Sequence, residues 1–516
     1  MSKWSKKLKK VSVILIATAM MAVTVVGCGE KGNSDVSVSE GESDSQGMLP
    51  KDEDGTSTVA KDDEIVKLKV WGFGYTATSD ECAAVAEAIS EITREKIGVE
   101  VELVRNSDGE KLNLALTSGE QLDLVSCHTY PGGLSTLVNN GMATPLDDLV
   151  QEYGQGILAT VDKDMLDTCV IDDTLYAIPC MKGIANGYGS VMRLDILEEL
   201  GIDPADIKTW DDVHDVLVKV KETYPDMYPL VPSWEGGGMQ KMIPYDNLGT
   251  GFLDALGVLE NVFDDNTTVV NLYETDAYRE LCERMYQWNQ EGLIMPDAPT
   301  STETNLCATV GFSALENDTP TKKTEVRVGW KHEGAIIRLI EPYINSDAGG
   351  GALFIPSESK YPEKAMQLWN LMYTDPEISK LFVCGIENVN YKYTDESRNY
   401  ITSVEGSTYD YIDWCWPNSW ITPVREGDDL DKWDQLKTFC DEAHRSPALG
   451  FTFDSSAVMN EITACNNVIA KYEVGLRWGV LDPDEALPKF NEELKAAGLE
   501  TIIAEKQSQL DAFLGK

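Results

Sequence analysis

A chain of 516 residues is longer than one hydrophobic core can organise, so two lobes or domains are expected. Its 43 basic against 87 acidic side chains leave a net charge of −44, which repels phosphate backbones and argues against a nucleic-acid partner. The same excess disfavours a strongly anionic ligand and leaves neutral or cationic ones.

The first 28 residues read as a targeting segment. Lys3, Lys6, Lys7, Lys9 and Lys10 precede an apolar run from Val11 to Val26, shorter than a typical membrane span, that ends in Val25-Val26-Gly27-Cys28. A small residue followed by cysteine resembles the lipobox of bacterial lipoproteins, with Val25 where leucine is commoner. That resemblance implies cleavage before Cys28 and lipid on Cys28; an uncleaved signal anchor is the alternative. Residues 29–64 are rich in Gly, Ser, Asp and Glu and poor in large apolar side chains, so they are expected to be a disordered acidic tether.

Regular patterning begins at Ile65. Val66, Leu68 and Val70 alternate with lysines as a half-buried strand closing on Trp71 to Tyr75. Asp80 can cap a helix with the stripe Val85, Ala88, Ile89 and Ile92, stopped before Gly98. Val99, Val101 and Leu103 alternate again, a helix carries Leu112, Ala115 and Leu116, and Leu122 to Val125 is a third strand. This order argues an α/β fold with a parallel, doubly wound sheet, whose ligands sit beyond the carboxyl ends of the strands. Trp71–Tyr75 and Cys127–Pro131 would therefore border a cleft.

Further along, Met192–Leu200, Ile207–Val220 (capped by Thr209) and Asp276–Gln290 read as helices. His214 reads as an exposed helix residue. Trp234 precedes three glycines on a loop and is either a ligand platform or a structural plug. The stretch Gly349–Phe382 is a strand (Ala352–Ile355), a turn, and a helix with Pro362 in its first turn and a stripe of Ala365, Leu368, Trp369 and Met372. A second helix follows, capped around Asp375 and stopped by Gly385.

The block from Tyr409 to Trp420 holds Trp414, Trp416 and Trp420, with Pro417 breaking any helix through them. Aromatic planes stack on the C–H faces of sugar rings while carboxylates and amides bond the hydroxyls, so the cluster is a stacking platform unless some of the three fill the core. Trp288 and Trp369 lie on helical stripes and are expected inside.

Several chemistries lack their motifs. The four histidines are scattered, with no metal-ligand spacing, and the run Asp428-Asp429-Leu430-Asp431 lacks the glycine and terminal Glu of a calcium loop; it reads as a solvated surface or a helix cap. No metal or cofactor is expected. Phosphate-binding glycine loops and a G-x-S-x-G elbow are absent. A glycoside hydrolase needs only two carboxylates, which an acidic chain always offers, so counting them decides nothing. Apart from Cys28, ten cysteines at irregular spacing read as mostly free, buried thiols, consistent with a reducing or anaerobic habitat.

The words SGEQLDLV (118–125), NNGMATPLDDLV (139–150), DDTLYAIPC (172–180) and IKTWDDVHDVLVKV (207–220), the unit around YTDPEIS (373–379), and the closing region from Ser446 to Leu514 resemble one family. It is the extracellular solute-binding lipoproteins of ABC importers, of the sugar-binding group, in a subgroup of Gram-positive bacteria. The resemblance covers about residues 65–514. It implies a two-lobed periplasmic-binding-protein fold, type II-like, with lobe 1 from 65–185 and 346–398 and lobe 2 from 186–345 and 399–516. Crossings are expected near 183–190, 340–348 and 395–405. It further implies a monomer held by lipid at the outer face of the cell membrane, which captures a sugar, most simply an oligosaccharide, and delivers it to a membrane permease without catalysis. A peptide or other non-sugar solute is the alternative ligand, and a lipid-anchored glycoside hydrolase the enzymatic one. The ligand residues expected are Tyr75, His128, Tyr130, Trp234, Trp330, Glu387, Trp416, Asn418 and Trp420. Where the subgroup has Gly-Asn-Gln-Phe, this chain has Pro417-Asn418-Ser419-Trp420, which points to an altered ligand.

Overall fold

The computed structural model describes residues 65–128, 130, 133–181, 183–230, 242–250, 254–297, 308–310, 332–346 and 351–516. Nine strands form its two main sheets: β1 (Val66–Gly72), β2 (Val99–Arg105), β3 (Leu124–Ser126), β4 (Ala177–Pro179), β5 (Asn186–Arg193), β6 (Ala308–Val310), β7 (Gly334–Ile344), β8 (Ala352–Phe354) and β9 (His444–Arg445).

The first sheet has the order β2-β1-β3-β8-β4. Strands β1, β2 and β3 are parallel, as their alternation with helices requires, with Val66 opposite Val99 and Val70 opposite Leu124. Strand β8 runs against both β3 and β4, because it brings the chain back in at the edge where β4 takes it out. The second sheet, β6-β5-β7-β9, is built on the long antiparallel pair β5/β7.

Local signals set the helix ends. Helix Ser79–Ile97 is capped by Thr78, not Asp80: the Thr78 hydroxyl accepts the Glu81 N–H while the Glu81 carboxylate accepts the Thr78 N–H. It stops at Gly98, whose φ of +66° is open to glycine and strained for a side chain. Helix Pro362–Thr374 buries Ala365, Leu368, Trp369 and Met372 as its periodicity demands. Asp375 then caps helix Pro376–Cys384 by accepting the N–H groups of Glu377 and Ile378.

Two hydrophobic cores separate the lobes. One gathers residues from Leu68 to Met181 and from Ala352 to Trp416; the other gathers Met192 to Ile337 and Ala448 to Leu510. Tyr409, Ile412, Cys415 and Trp416 thus belong to the first lobe, which corrects the expected crossing at 395–405 and the assignment of 399–516 to the second lobe. The third crossing is instead at β9, which pairs His444 with Tyr343 and Arg445 with Ile344. A small cluster ties all three crossings together: Ala185 from the first, Ile344 from the second, and Leu436, Phe439 and Ala443 from the third. Buried Asp246 fastens the second crossing by accepting the Ser346 N–H at 3.1 Å and the Ser346 hydroxyl.

The last three helices, Met459–Arg477, Pro483–Ala497 and Leu499–Phe513, pack into the second core. Lys506 is sealed there, its ammonium donating to the carbonyls of Gly257 (2.9 Å) and Asn247 (3.3 Å), and burial pulls its pKa down. Eight of the nine described cysteines are buried, and Cys82, Cys282, Cys384 and Cys465 among them are free thiols. Burial pushes the Cys282 thiol up to about 12 and Cys465 up to about 11, so neither is a nucleophile at neutral pH.

Candidate functional site

The carboxyl ends of β1 and β3 meet in an aromatic cluster. Phe73, just past β1, is 4% exposed and acts as its hub. Its ring centroid lies 4.8 Å from Tyr75, 5.1 Å from His128 and 5.1 Å from Trp414, and His128 and Trp414 are 4.8 Å apart. Most of these contacts are edge-to-face, the arrangement ring quadrupoles favour. Tyr75 and His128 are exposed and Trp414 is half-buried, so the cluster offers ring surface to solvent where ligands of doubly wound sheets bind.

Carboxylates hold the loop that carries Trp414. Glu81 accepts the backbone N–H groups of Thr408 (2.9 Å) and Tyr409 (3.2 Å), the Ser407 hydroxyl at 2.9 Å, and the Thr408 hydroxyl. Two residues on, Asp410 accepts the Tyr75 N–H at 2.9 Å. The guanidinium of Arg105, fully buried, donates to the Asp410 carbonyl at 2.8 Å and lies 4.1 Å over the Tyr409 ring. Through Asp410 the two walls of the cluster, Tyr75 and Trp414, are fixed to one another.

Burial would raise the Glu81 carboxyl, but the donors of Thr408, Ser407 and Thr78 outweigh it and hold it at about 2. A pKa depressed below the unfolded value of about 4.3 adds stability at neutral pH that is lost as pH falls through the folded value. The melting-temperature gap between the parent and Glu81→Gln is therefore expected to be widest above pH 5 and to close between pH 4.5 and 2. A gap that stays constant over that window would remove the titration from the account.

The structure distributes the expected site residues unevenly. Tyr75 and His128 come together as anticipated from the strand ends. Tyr130 does not join them: it is 6% exposed, its hydroxyl reaching Asn113 Oδ1 at 3.3 Å. Trp416 is a core residue, 1% exposed and stacked on Phe382 with centroids 5.3 Å apart. Its ring fits only because position 72 is glycine, where an added methyl would stand 2.1 Å from the indole. Asn418 is a structural brace, 3% exposed: its amide donates to the Tyr373 carbonyl at 2.8 Å and accepts the Trp420 N–H at 3.1 Å. Glu387 is held in a bidentate pair with Arg398 (3.0 and 2.6 Å), which lowers its pKa. Trp420 is half-buried and stacked on Trp433 at 6.1 Å and 16°. Trp234, Trp330 and Cys28 lie outside the described residues. Phe73 and Trp414, which the sequence did not single out as ligand residues, stand in the cluster with Tyr75 and His128; the glycine at 72 was the signal that one of the three tryptophans would be swallowed.

The acidic run is also not simply a solvated face. Asp428 is 4% exposed and pairs at 2.8 Å with buried Lys432, which also reaches Asp413 at 3.1 Å. Among the described residues no group of three or more His, Cys, Asp or Glu is placed to hold a metal.

Comparison with known proteins bears on what this edge is for. Residues 77–377 match the model of bacterial extracellular solute-binding proteins. The chain belongs to that family. Its membership places it outside the cytoplasm, and residues 447–515 match a further domain of unknown function (DUF3502). A carbohydrate ABC transporter substrate-binding protein of Streptococcus pneumoniae serotype 4 is 27% identical over 447 residues, covering 84% of this chain and 88% of that one. Among solved structures, the N-glycan transport solute binding protein (NgtS) of Streptococcus pneumoniae superposes with a TM-score of 0.76 at 22% identity, over 87% of this chain and 99% of that one. The alginate-binding protein AlgQ2 without calcium ion gives 0.59 at 16% identity, over 87% and 99%. An HMO binding ABC-transporter associated solute binding protein from Bifidobacterium longum infantis gives 0.57 at 16% identity, over 88% and 99%. These likenesses show the two-lobed α/β fold. The region that matches DUF3502 completes the second lobe's core.

Proposed function

We propose that this solute-binding protein captures an oligosaccharide between its lobes and delivers it, uncleaved, to the permease of an ABC importer. The observation that carries the reading is the aromatic cluster of Phe73, Tyr75, His128 and Trp414 at the carboxyl ends of β1 and β3, where Tyr75 and His128 are exposed. Stacking planes of this kind suit the C–H faces of sugar rings and offer little to an anion. The relative named for carbohydrate transport, and the neighbouring structure solved in complex with Man1GlcNAc and with Man5GlcNAc, support the same class of ligand. Closure would be a hinge motion about the three crossings, in which a sugar touching both lobes stabilises the closed state. Lipid on Cys28 and the acidic tether of 29–64 would keep the two lobes near the permease of what this reading takes to be a Gram-positive cell.

Trp414→Ala tests the platform. Loss of one stacked ring is expected to weaken sugar binding about tenfold, the equivalent of about 1.4 kcal/mol. The unliganded melting temperature should fall by only a few degrees, since Trp414 is half-buried. Calorimetric titration of the variant giving the parent's affinity would take Trp414 out of the site, and tight binding of peptides with no response to sugars would change the ligand class.

A further inference from the structure

The aromatic segment continues past Trp414 along the carboxyl edge of the first sheet. Trp416 covers Gly72 at the end of β1, Asn418 forms a bridge with Met181 just beyond β4, and Trp420 follows. Trp420 lines a cavity of about 350 Å³ whose wall includes Met165, Met181, Ile184, Lys437 and Cys440. The back of its indole is supported by Trp433, itself over the ammonium of Lys432 at 4.2 Å. The cavity is in the range of small-molecule sites and joins a rigid aromatic plane to polar groups at its rim. The rim sets Lys163, Lys437 and Arg445 against Asp162 and Asp441, with Lys437 3.3 Å from Asp441 and 3.9 Å from Asp162, so it offers both donors and acceptors to sugar hydroxyls.

This cavity is separate from the Phe73 cluster. That cluster sits at the ends of β1 and β3, whereas Met181 follows β4, two to three strands away in the order β1-β3-β8-β4. Adjacent strands are about 4.8 Å apart, so the two aromatic stations are roughly 10–14 Å apart along the sheet edge. One pyranose ring cannot reach both. Resting on the sugar reading above, we infer that Trp420 forms a second, distal subsite, and that the ligand is a neutral oligosaccharide of at least three rings whose far end stacks on Trp420 while its near end stacks at Trp414.

The test is a comparison of ligand lengths on the full chain in mild detergent. Man1GlcNAc and Man5GlcNAc, together with two-ring and six-ring malto- and cello-oligosaccharides, are titrated into the parent, Trp414→Ala, Trp420→Ala and Cys440→Phe. Cys440→Phe fills the cavity while leaving Trp420 in place, which separates loss of the subsite from damage to the fold. In the sugar series that binds, the six-ring member is expected to be at least about tenfold tighter than the two-ring member. Trp420→Ala and Cys440→Phe should both erase most of that advantage and leave two-ring affinity within about threefold, whereas Trp414→Ala weakens both lengths. Sugar binding with no dependence on length, or a length advantage that survives both cavity variants, overturns the distal subsite and leaves the sugar reading standing. Failure of every sugar to bind the parent overturns both.

Discussion

Trp416→Ala is expected to destabilise the protein by about 3–5 kcal/mol, the range for deleting a large aromatic side chain from a packed core. The residue is among the largest fully buried side chains of the chain. One face of its indole is stacked on Phe382, its edge fills the space above Gly72, and the Arg105 guanidinium lies 5.3 Å from its centroid. Truncation would leave a cavity directly beneath the loop that carries Trp414, with β1 and helix Pro376–Cys384 unable to close it without moving the sheet. Urea unfolding should show a lowered midpoint with an unchanged slope. Unchanged stability together with lost sugar affinity would return Trp416 to the ligand platform and refute its placement in the core.

Lys432→Met should cost a similar amount, about 3–5 kcal/mol, by a different route. The Lys432 side chain is fully enclosed, and it faces Asp428 at 2.8 Å while also bonding Asp413 at 3.1 Å. Burial raises the Asp413 carboxyl, but the charges of Lys432 and Arg425 outweigh it and hold the pKa below the usual carboxylate range. Removing the ammonium strands the Asp428 carboxylate, which is sealed from water, and weakens the hold on Asp413. Adding Asp428→Asn to the methionine variant removes one stranded charge and should recover part of the loss. A double-mutant cycle with no coupling between 428 and 432 would show that the pair is not acting as a unit.

Much of the fold was legible because it rests on local rules. The period-2 strands at Val66 and Val99, the stripe of Ala365, Leu368, Trp369 and Met372, and the Asp375 cap each follow from neighbours within one turn or one strand. The place of Tyr75 and His128 beyond strand ends was legible for the same reason, since strand ends can be read from alternation. What escaped depends on contacts distant in sequence. Thr78 rather than Asp80 caps the first helix because Glu81 completes a capping box and is then locked by residues more than 300 positions away. Three tryptophans in seven residues look equivalent until Gly72, on a strand 344 positions earlier than Trp416, admits one of them into the core. The run from Asp428 to Asp431 looked like a solvated surface or a helix cap, and only the packing of helix Lys432–Glu442 against the crossings puts the partner of Asp428 inside. The third crossing was misplaced because the short strand β9 holds just two residues and carries no periodicity of its own.

The most direct test of the central claim is calorimetric titration of the purified protein with neutral oligosaccharides, followed by analysis of the recovered ligand. Saturable binding of an oligosaccharide, a melting temperature that rises with ligand concentration, and recovery of the sugar intact are the results expected of an importer's binding protein. A recovered sugar that has been cleaved would contradict the account by making the protein an enzyme, and binding confined to peptides would contradict its ligand.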